Sequence, residues 1–387
     1  MHLFINSLAA SAGGGLTYIR NVIPYMAATP GLRVTVALTP GLREEFRAFA
    51  NVDFVELEVS ASRRFWHEQF VLPSLIRQCR AEVLLSAGNF ALRNSPVPQI
   101  LLSRNSLYTS ADFYRDLLSR SEYRTWLDSR LRGLMARRSI AWADITVAPS
   151  EAFAAELRSL TGSSRIRAIH HGFDREAFAR DKSPLAPKVE QTLKTAEGCV
   201  RLLFVSHYNY YRNFETALRA LPLLRDRLAG RAVKLLLTCR LATGANPGAY
   251  RPEAAAKLVR DLGVSDMVIE LGAIPYRQLH HLYGRADIYV TPAYTETFAH
   301  PLVEAMSSGL PVVASDLPVH REICGDAALY FPSFSAEQLA DRVTEVATCV
   351  NLSARLSGAG LGRTAAFSWR KHIDKLLSIA RSLAAGA

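Results

Sequence analysis

The chain has 387 residues, of which 49% are hydrophobic and 21% are charged, a balance typical of a globular protein with a sizeable core. This length predicts two domains, because single cores rarely grow beyond about 250–300 residues. The formal net charge of +11 favours anionic partners such as nucleic acid, anionic lipid or phosphorylated ligands. An arginine-favouring codon composition is the alternative explanation of that charge.

The five cysteines are scattered without a CxxC pair, which suits a reducing compartment and indicates no metal centre. The first residues lack the basic leader of a signal peptide. No run of 18 apolar residues occurs, so no membrane span is predicted. We expect a cytoplasmic protein, with peripheral attachment to the inner face of the membrane as an open alternative.

Short apolar runs alternate with helical patterns along the whole chain. The predicted strands of the first half are 3–5, 34–38, 52–57, 83–85, 99–102, 145–148 and 166–169. Those of the second half are 200–205, 233–237, 268–271, 288–291, 312–314 and 328–331. This alternation predicts an α/β fold with parallel sheets that carry helices on both faces.

The strand–helix pattern restarts after residues 181–198, a polar segment with two prolines that we interpret as an interdomain linker. The predicted domains are 1–180 and 199–366. The last stretch, 367–387, is helical and too long for a frayed tail, so it should dock on the rest of the protein. Ligands of doubly wound sheets bind beyond the carboxyl ends of the strands, so a cleft between the domains is the expected site.

Two carboxylates near residue 300, Glu296 and Glu304, flank a predicted helix start. Residues 293–300 form a predicted loop, Pro301 suits a first helical position, and the helix should run over 302–308 and stop at Gly309. Unpaired N–H groups in the first turn of a helix favour a diphosphate. Phosphate would repel Glu304, so its expected partner is a neutral diol such as a ribose, while Glu296 can reach a hydroxyl group on a sugar. The alternative is an acid that complements the helix dipole and a solvated loop acid.

The segment 295–315 reads Thr-Glu-Thr-Phe-Ala-His-Pro-Leu-Val-Glu-Ala-Met-Ser-Ser-Gly-Leu-Pro-Val-Val-Ala-Ser. This segment resembles the donor-site signature of glycosyltransferase family 4, the retaining enzymes of the GT-B fold. The family wording is close to Glu-Gly-Phe-Gly-Leu-Pro-x-x-Glu-Ala followed by Gly-x-Pro-Val-Val-Ala-Ser; here Thr297 and Ala299-His300 replace the usual glycines. The resemblance implies two Rossmann-like domains that face each other across a cleft, with the acceptor on the first and the nucleotide-sugar on the second. It also implies that Thr297, Phe298, Ala299 and His300 line the donor site.

Further segments extend the resemblance over essentially the whole chain. Val-Ala-Pro-Ser-Glu-Ala-Phe from residue 147 and Ile-His-His-Gly-Phe-Asp from residue 169 look like the segments that close the first domain of the family. Glu-Ile-Cys-Gly-Asp-Ala-Ala from residue 322 looks like the segment after the last donor-site strand. Phe-Ser-Trp-Arg from residue 367 resembles the start of the closing helix, which in GT-B enzymes returns to the first domain.

The family carries an arginine and a lysine for the diphosphate after the first strand of the second domain. Arg212 falls at the lysine position and is a suitable phosphate fork, whereas His207 falls at the arginine position and its charge depends on pH. A surface turn is the alternative explanation of Arg212. The turn Gly-Ala-Ile-Pro-Tyr from residue 272, which contains Ile274, lies where the family backbone meets the nucleobase.

In the first domain, a glycine-rich turn that includes Gly14 and Gly15 follows the opening strand and starts a helix. Without side chains its backbone can approach a ligand closely, although a tight packing turn is the alternative. Many family members carry a histidine after the fifth strand. Asn105 stands in that place and cannot act as an acid or base, but it can donate a hydrogen bond to a sugar hydroxyl. Arg104 beside it could serve the acceptor or a phosphate.

The segment 114–143 combines seven arginines with leucines, Trp126 and Trp142. A basic amphipathic helix with tryptophan suits an anionic membrane surface. A helix that faces the core and carries a solvated basic face explains the same pattern, and the sequence does not separate the two.

The resemblance predicts an enzyme that moves a sugar from a UDP- or GDP-linked donor to an acceptor hydroxyl with retention. We expect Glu296, Asn105 and Arg212 to act at the reacting centre. The acceptor would be a bacterial surface glycan or a lipid-linked glycan. No Asp-x-Asp occurs, so neither a metal nor any other cofactor is expected. Two alternatives remain: a GT-B epimerase or phosphorylase, and, more remotely, a basic nucleic-acid-binding protein. The second is remote because the sequence shows no interleaving of aromatic and basic residues on a predicted strand platform.

Overall fold

The structure, a computed structural model, describes residues 1–10, 13–60, 63–246 and 250–386. The chain divides into two compact units. Unit 1 comprises Met1–Ser110, Arg120–Gly172 and Ser368–Ala387, and unit 2 comprises Ala111–Ser119 and Phe173–Phe367. Strands and helices are numbered in chain order across both units.

Unit 1 is built on a parallel seven-stranded sheet in the order β3-β2-β1-β4-β5-β6-β7. The strands are β1 His2–Asn6, β2 Arg33–Leu38, β3 Val52–Glu56, β4 Val83–Ser86, β5 Gln99–Leu102, β6 Ile145–Ala148 and β7 Ile166–Ala168. Its helices are α1 Gly13–Ala27, α2 Arg64–Phe70, α3 Leu72–Gln78, α5 Tyr123–Trp142, α6 Glu151–Thr161 and α16 Trp369–Ala385.

Both faces of this sheet are buried, as expected for parallel strands. On one face, strand residues such as Ile5 and Leu85 pack with Ile19 of α1 and Ile373 of α16 in one apolar cluster. On the other face, α3 packs on β1 and β4 through Leu72 and Ile76. The last helix of the chain is therefore an integral part of unit 1.

Unit 2 is built on a parallel six-stranded sheet in the order β10-β9-β8-β11-β12-β13. The strands are β8 Val200–Phe204, β9 Val233–Leu237, β10 Val268–Glu270, β11 Ile288–Thr291, β12 Val312–Ser315 and β13 Ala328–Phe331. Its helices are α4 Ala111–Ser119, α7 Arg175–Phe178, α8 Pro187–Lys194, α9 Phe214–Arg227, α10 Glu253–Asp261, α11 Leu279–Tyr283, α12 His300–Ser307, α13 Pro318–Cys324, α14 Ala336–Thr348 and α15 Val350–Thr364. Helix α9 packs against α14, and α12 packs against α15.

Every stretch predicted as a strand overlaps one of these strands, and the predicted doubly wound α/β class is confirmed. The predicted linker, residues 181–198, contains helix α8, whose Glu190 accepts a hydrogen bond of 2.6 Å from Arg285 of unit 2. The helix predicted over 302–308 runs over His300–Ser307. It begins earlier because Ala299 adopts the left-handed conformation that ends the preceding loop.

Candidate functional site

The strand order of unit 2 creates a topological switch point between β8 and β11. The chain moves outward from β8 through β9 to β10 and then returns to β11 on the other side of β8. Because β8 and β11 are parallel neighbours, the segments after their carboxyl ends diverge and leave a crevice, the usual ligand site of such sheets. Arg212 follows β8 and Glu296 follows β11, so the sheet brings these two predicted site residues to the same edge.

The side chains of Arg212 and Glu296 form a nearly buried ion pair, with Nη1 donating to Oε1. Burial, the largest single influence, opposes the positive charge, but the Glu296 carboxylate together with Tyr211 and Tyr289 outweighs it, and the pKa of Arg212 is raised above its ordinary value. The Arg212 Nε–H has no partner among the described residues. A guanidinium fixed at a switch point is suited to an anionic ligand.

Two hydrogen bonds tie the loops that carry this pair. The Asn213 side chain donates to the Pro292 carbonyl at 3.0 Å, and the Tyr294 backbone N–H donates to the Tyr211 carbonyl at 3.1 Å. Asn213 is itself left-handed, with φ of 57°, a conformation that asparagine tolerates better than most residues. The loops therefore hold Arg212 and Glu296 in place through backbone contacts.

Glu304 lies one turn into α12 and is only 3% exposed. Burial raises the pKa of its carboxyl group to about 7, opposed by the Tyr283 hydroxyl, which donates to Oε2 at 2.8 Å. One carboxylate oxygen is thus committed to Tyr283 of α11. The other oxygen is the acceptor available for a diol.

The loop before α12 is shaped by Ala299, whose φ of 61° and ψ of 64° are left-handed. Alanine pays roughly 1–2 kcal/mol for this conformation, which glycine adopts freely. Phe298 is buried and its ring lies 5.5 Å from that of Phe367, whereas Thr297 and His300 are half-buried. The strained backbone places the first turn of α12 after Glu296, as the signature predicts.

The far end of α12 closes in a Schellman motif. Leu310 N–H donates to the Ala305 carbonyl and Gly309 N–H to the Met306 carbonyl, both at 3.0 Å. Gly309 has φ of 72°, which explains the glycine at this position. The predicted glycine turn and the buried strand β12 behind it are both present.

A buried histidine that the sequence analysis did not identify lies beside these residues. His320 of α13 donates from Nδ1 to the Ser315 carbonyl at 2.8 Å, and the Ser315 hydroxyl donates to the Ala293 carbonyl at the start of the Glu296 loop. Burial lowers the pKa of His320, while Glu296 opposes this shift. No pattern in the sequence marks His320, because only the fold brings α13 to this loop.

The remaining predicted residues of unit 2 lie around the same edge of the sheet. His207 is exposed after β8. Ile274 is half-buried in the turn after β10. In the same turn Gly272 has φ of 80°, and a Cβ on Gly272 would lie 3.2 Å from Nε of Arg240. Tyr283 and Asn213, which position Glu304 and the Arg212 loop, are further residues that sequence reasoning missed.

In unit 1 the glycine turn follows β1, next to the switch point between β1 and β4. Among the described residues, a Cβ on Gly14 would meet nothing within 4 Å, whereas one on Gly15 would lie 3.3 Å from Cα of Ala10. Gly14 thus leaves its backbone open and Gly15 serves packing. Ser11 and Ala12 of this motif lie outside the described residues.

Arg104 and Asn105 follow β5, and both make local hydrogen bonds. Arg104 donates to the Gly14 carbonyl at 3.1 Å and the Ala87 carbonyl at 2.6 Å, so it braces the glycine turn. Asn105 Oδ1 accepts from Leu107 N–H at 3.1 Å and caps the 3-10 turn Ser106–Tyr108. The side chain of Asn105 also forms a hydrogen bond with the Tyr108 hydroxyl, so both ends of its amide have partners within unit 1.

A buried aromatic cluster joins α1 to α16 within unit 1. His372 donates from Nδ1 to the His170 carbonyl at 2.9 Å, so its Nε2 accepts from the Tyr18 hydroxyl at 2.9 Å. Burial lowers the pKa of His372 to about 4. The ring of Trp369 lies 5.5 Å from that of His372. This cluster fixes the last helix beside the glycine turn.

Two family models match the chain, one in each half. Residues 12–177 match Glycosyltransferase Family 4, and residues 188–362 match Glycosyl transferases group 1. A D-inositol 3-phosphate glycosyltransferase from Mycobacteroides abscessus is 30% identical over 253 residues, which are 64% of this chain and 54% of that protein. The match therefore spans about half the length of this curated relative.

Solved structures resemble the whole chain. Sucrose-phosphate synthase from Thermosynechococcus elongatus has a TM-score of 0.74 at 17% identity and covers 100% of both chains. Anabaena HepE in complex with UDP-glucose has a TM-score of 0.72 at 16% identity and covers 99% of this chain and 100% of its own. These likenesses establish the fold. By its two family models and its GT-B architecture, the chain belongs to the glycosyltransferases of family 4.

Proposed function

We propose that the protein transfers a sugar from a nucleotide-sugar to an acceptor hydroxyl with retention of the anomeric configuration. The observation that carries this proposal is the Arg212–Glu296 ion pair at the switch point, one loop away from Glu304 on α12. Named relatives are glycosyltransferases, and HepE is a structural neighbour in complex with UDP-glucose.

In the proposed reaction the bond between the anomeric carbon and the diphosphate oxygen breaks, and its electron pair leaves with the nucleoside diphosphate. The acceptor oxygen bonds to the same face of that carbon, and its proton goes to the departing diphosphate. Arg212 and the first turn of α12 would stabilise the developing negative charge. Positioning and electrostatics suffice for this step, so no metal or organic cofactor is invoked.

The residues divide the donor between them. Glu304 would accept hydrogen bonds from a ribose diol through the oxygen that Tyr283 leaves available, and Glu296 would contact the transferred sugar while it orients Arg212. His207, Ile274 and the loop Thr297–His300 surround this edge of the sheet. In unit 1, the open backbone at Gly14 and the amide of Asn105 would serve the sugar or the acceptor.

A thermal-shift screen of UDP, GDP and their sugar conjugates tests the donor site. A ligand at 100 times its Kd should add about 2.7 kcal/mol of apparent stability. Glu304→Ala should remove this response, and Glu68→Gln, a change at a buried glutamate of unit 1, should preserve it. An unchanged response in Glu304→Ala would show that the donor site is elsewhere.

The reaction class has its own test. Anomeric NMR of the product should show the configuration of the donor sugar, and nucleoside diphosphate should appear only when an acceptor is present. Stoichiometric release of nucleoside diphosphate without acceptor would instead indicate an epimerase-type reaction.

The acceptor we propose is a glycan or lipid-linked glycan at an anionic membrane surface, because α5 exposes a stripe of large apolar side chains beside its arginines. Tyr123, Leu127, Leu131 and Leu134 recur along one stripe and are 55–64% exposed. The buried residues of α5 are instead mostly small: they are Ser129, Gly133, Ala136 and Ser139, together with Ile140. A solvated basic face would not place its large apolar side chains outward.

Arginines on α5 add the charge that an anionic lipid surface attracts, including Arg124, Arg130 and Arg138. Among the described residues, no helix is long and apolar enough to cross a membrane. Attachment would therefore be peripheral, with the apolar stripe in the headgroup region.

Co-sedimentation with phosphatidylglycerol vesicles tests this surface. The protein should sediment with these vesicles and not with phosphatidylcholine vesicles, and Leu131→Asp should reduce the bound fraction severalfold. The matched control is Val350→Asp, at an exposed apolar residue of unit 2. Equal binding by both variants would exclude the α5 stripe as the contact surface.

A further inference from the structure

A basic cavity of about 580 Å³ opens in unit 1 at the carboxyl ends of α5 and α6. The residues that line it include three arginines, Arg137, Arg138 and Arg165, and three hydroxyl-bearing residues, Thr161, Ser163 and Ser164. Among the residues that the structure describes, none that lines the cavity is acidic. Three cations and three hydroxyls around one cavity make a surface complementary to an oxyanion.

The arginines of this cavity differ from several others in unit 1. Arg20 pairs with Glu45, Arg33 with Asp53, and Arg43 with Glu56. By contrast, within the described part of the chain, none of the cavity arginines forms an ion pair with a carboxylate. No carboxylate of the described residues therefore compensates their mutual repulsion.

Helix capping explains only part of this arrangement. Arg137 donates to the Leu160 carbonyl at 2.6 Å and Arg165 to the Ala141 carbonyl at 3.1 Å, at the ends of α6 and α5. Each cap uses one N–H group of the five on a guanidinium. Arg138 makes no hydrogen bond to any residue that the structure describes. Two helix carboxyl ends offset roughly half a charge each, which leaves about two of the three positive charges.

We propose that this cavity binds a phosphate group, held by Arg138 and by the spare donors of Arg137 and Arg165. The phosphate could belong to a lipid headgroup, since α5 also carries the apolar stripe, or to a freely diffusing phosphorylated molecule. The chemistry of recognition is the same for both sources: charge-assisted hydrogen bonds from guanidinium groups.

The cavity is separate from the proposed sugar-transfer site. Its residues precede β6 and β7, whereas Gly14, Arg104 and Asn105 follow β1 and β5. Because all strands of this sheet are parallel, the cavity lies at the amino edge and those residues lie at the carboxyl edge. The inference therefore does not depend on the proposed function.

Calorimetric titration of the full chain with inorganic pyrophosphate, in excess UDP, tests the site. Arg138→Ser should weaken pyrophosphate binding about tenfold, since one charge-assisted contact is lost. Arg138→Lys should retain most of the affinity. The matched control, Arg124→Ser, removes the same charge from an exposed arginine of α5 about 21 Å along the helix, and it should change the affinity less than twofold.

Equal affinities for Arg138→Ser and Arg124→Ser would overturn the proposal, whether or not UDP binds, because a donor site in unit 2 contributes equally to both. Vesicles of phosphatidylglycerol identify the source. If Arg138→Ser weakens vesicle binding more than Arg124→Ser does, the phosphate is a lipid headgroup. If both variants bind vesicles alike while their pyrophosphate affinities differ, the ligand is a soluble phosphorylated molecule.

Discussion

Arg212 and Glu296, 84 residues apart in the chain, form a nearly buried ion pair between the loops that follow β8 and β11. Neighbouring parallel strands bring these loops together, and two hydrogen bonds between the loops hold them. The pair thus orients a guanidinium at the switch point through contacts within the protein. Preorganised charge of this kind is what stabilises a departing diphosphate.

Removing the charge of Glu296 should destabilise the fold as well as the site. Glu296→Gln leaves the Arg212 cation unpaired and should lower the free energy of unfolding by about 2–4 kcal/mol. The double variant Arg212→Met with Glu296→Gln should recover most of that loss without restoring nucleotide-sugar binding. Urea unfolding in a double-mutant cycle measures the coupling.

For comparison, Asp53→Asn breaks an exposed pair with Arg33 and should change stability by less than about 1 kcal/mol. Additive effects at positions 212 and 296 would contradict this picture.

Glu304 should make the protein less stable as pH rises. The pKa of its carboxyl group is about 7 in the folded chain against an ordinary value of 4.5. The folded state therefore binds more protons than the unfolded state between these values, and stability falls as pH rises from about 4.5 to 7. Glu304→Gln should remove about 3 kcal/mol of this loss above pH 7 and abolish donor binding. Denaturant unfolding of the unsubstituted protein and of Glu304→Gln at pH 5 and pH 8 measures this difference in stability. An equal pH response of the two proteins would refute the burial of an ionisable carboxyl group.

His372 should make unit 1 acid-sensitive. Burial lowers the pKa of its imidazole from 6.5 to about 4, so the unfolded state binds more protons in this window. The contribution of His372 to the free energy of unfolding is therefore fully present above pH 6.5, and about 3 kcal/mol is lost as the pH drops from 6.5 through 4. His372→Gln should flatten that response, while His207→Gln, at an exposed histidine, should not. Trp369 fluorescence during denaturant unfolding is a suitable probe, because its ring contacts His372.

Gly14→Ala should separate stability from activity. No described residue lies within 4 Å of the added Cβ, and alanine is favoured over glycine inside a helix by up to about 1 kcal/mol. Stability should therefore rise slightly. Sugar transfer should fall at least tenfold if a ligand approaches the bare backbone. Gly358→Ala in α15, with equally open space, is the matched control and should keep full activity. Full activity in Gly14→Ala would assign the glycine to folding alone.

The strands, the two-unit organisation and the helix start near residue 300 were predictable from the sequence, because each depends on local periodicity and on turn residues. Glycine at position 309 ends α12 through a left-handed residue, and buried apolar runs form parallel strands. The family wording around Glu296 and Glu304 also lies within one short segment. The segment could thus be identified as a candidate donor site without knowledge of distant contacts.

Only the tertiary structure decided which partner each of these side chains meets. The Arg212–Glu296 pair, the hydrogen bond from Tyr283 to Glu304, and the role of Arg104 in bracing Gly14 all join residues remote in the chain. The orientation of α5 was likewise undecided, since apolar residues and arginines recur around the helix, and only packing shows that the small residues face inward. Sequence periodicity specifies elements, whereas contacts between elements depend on strand order, which no local pattern encodes.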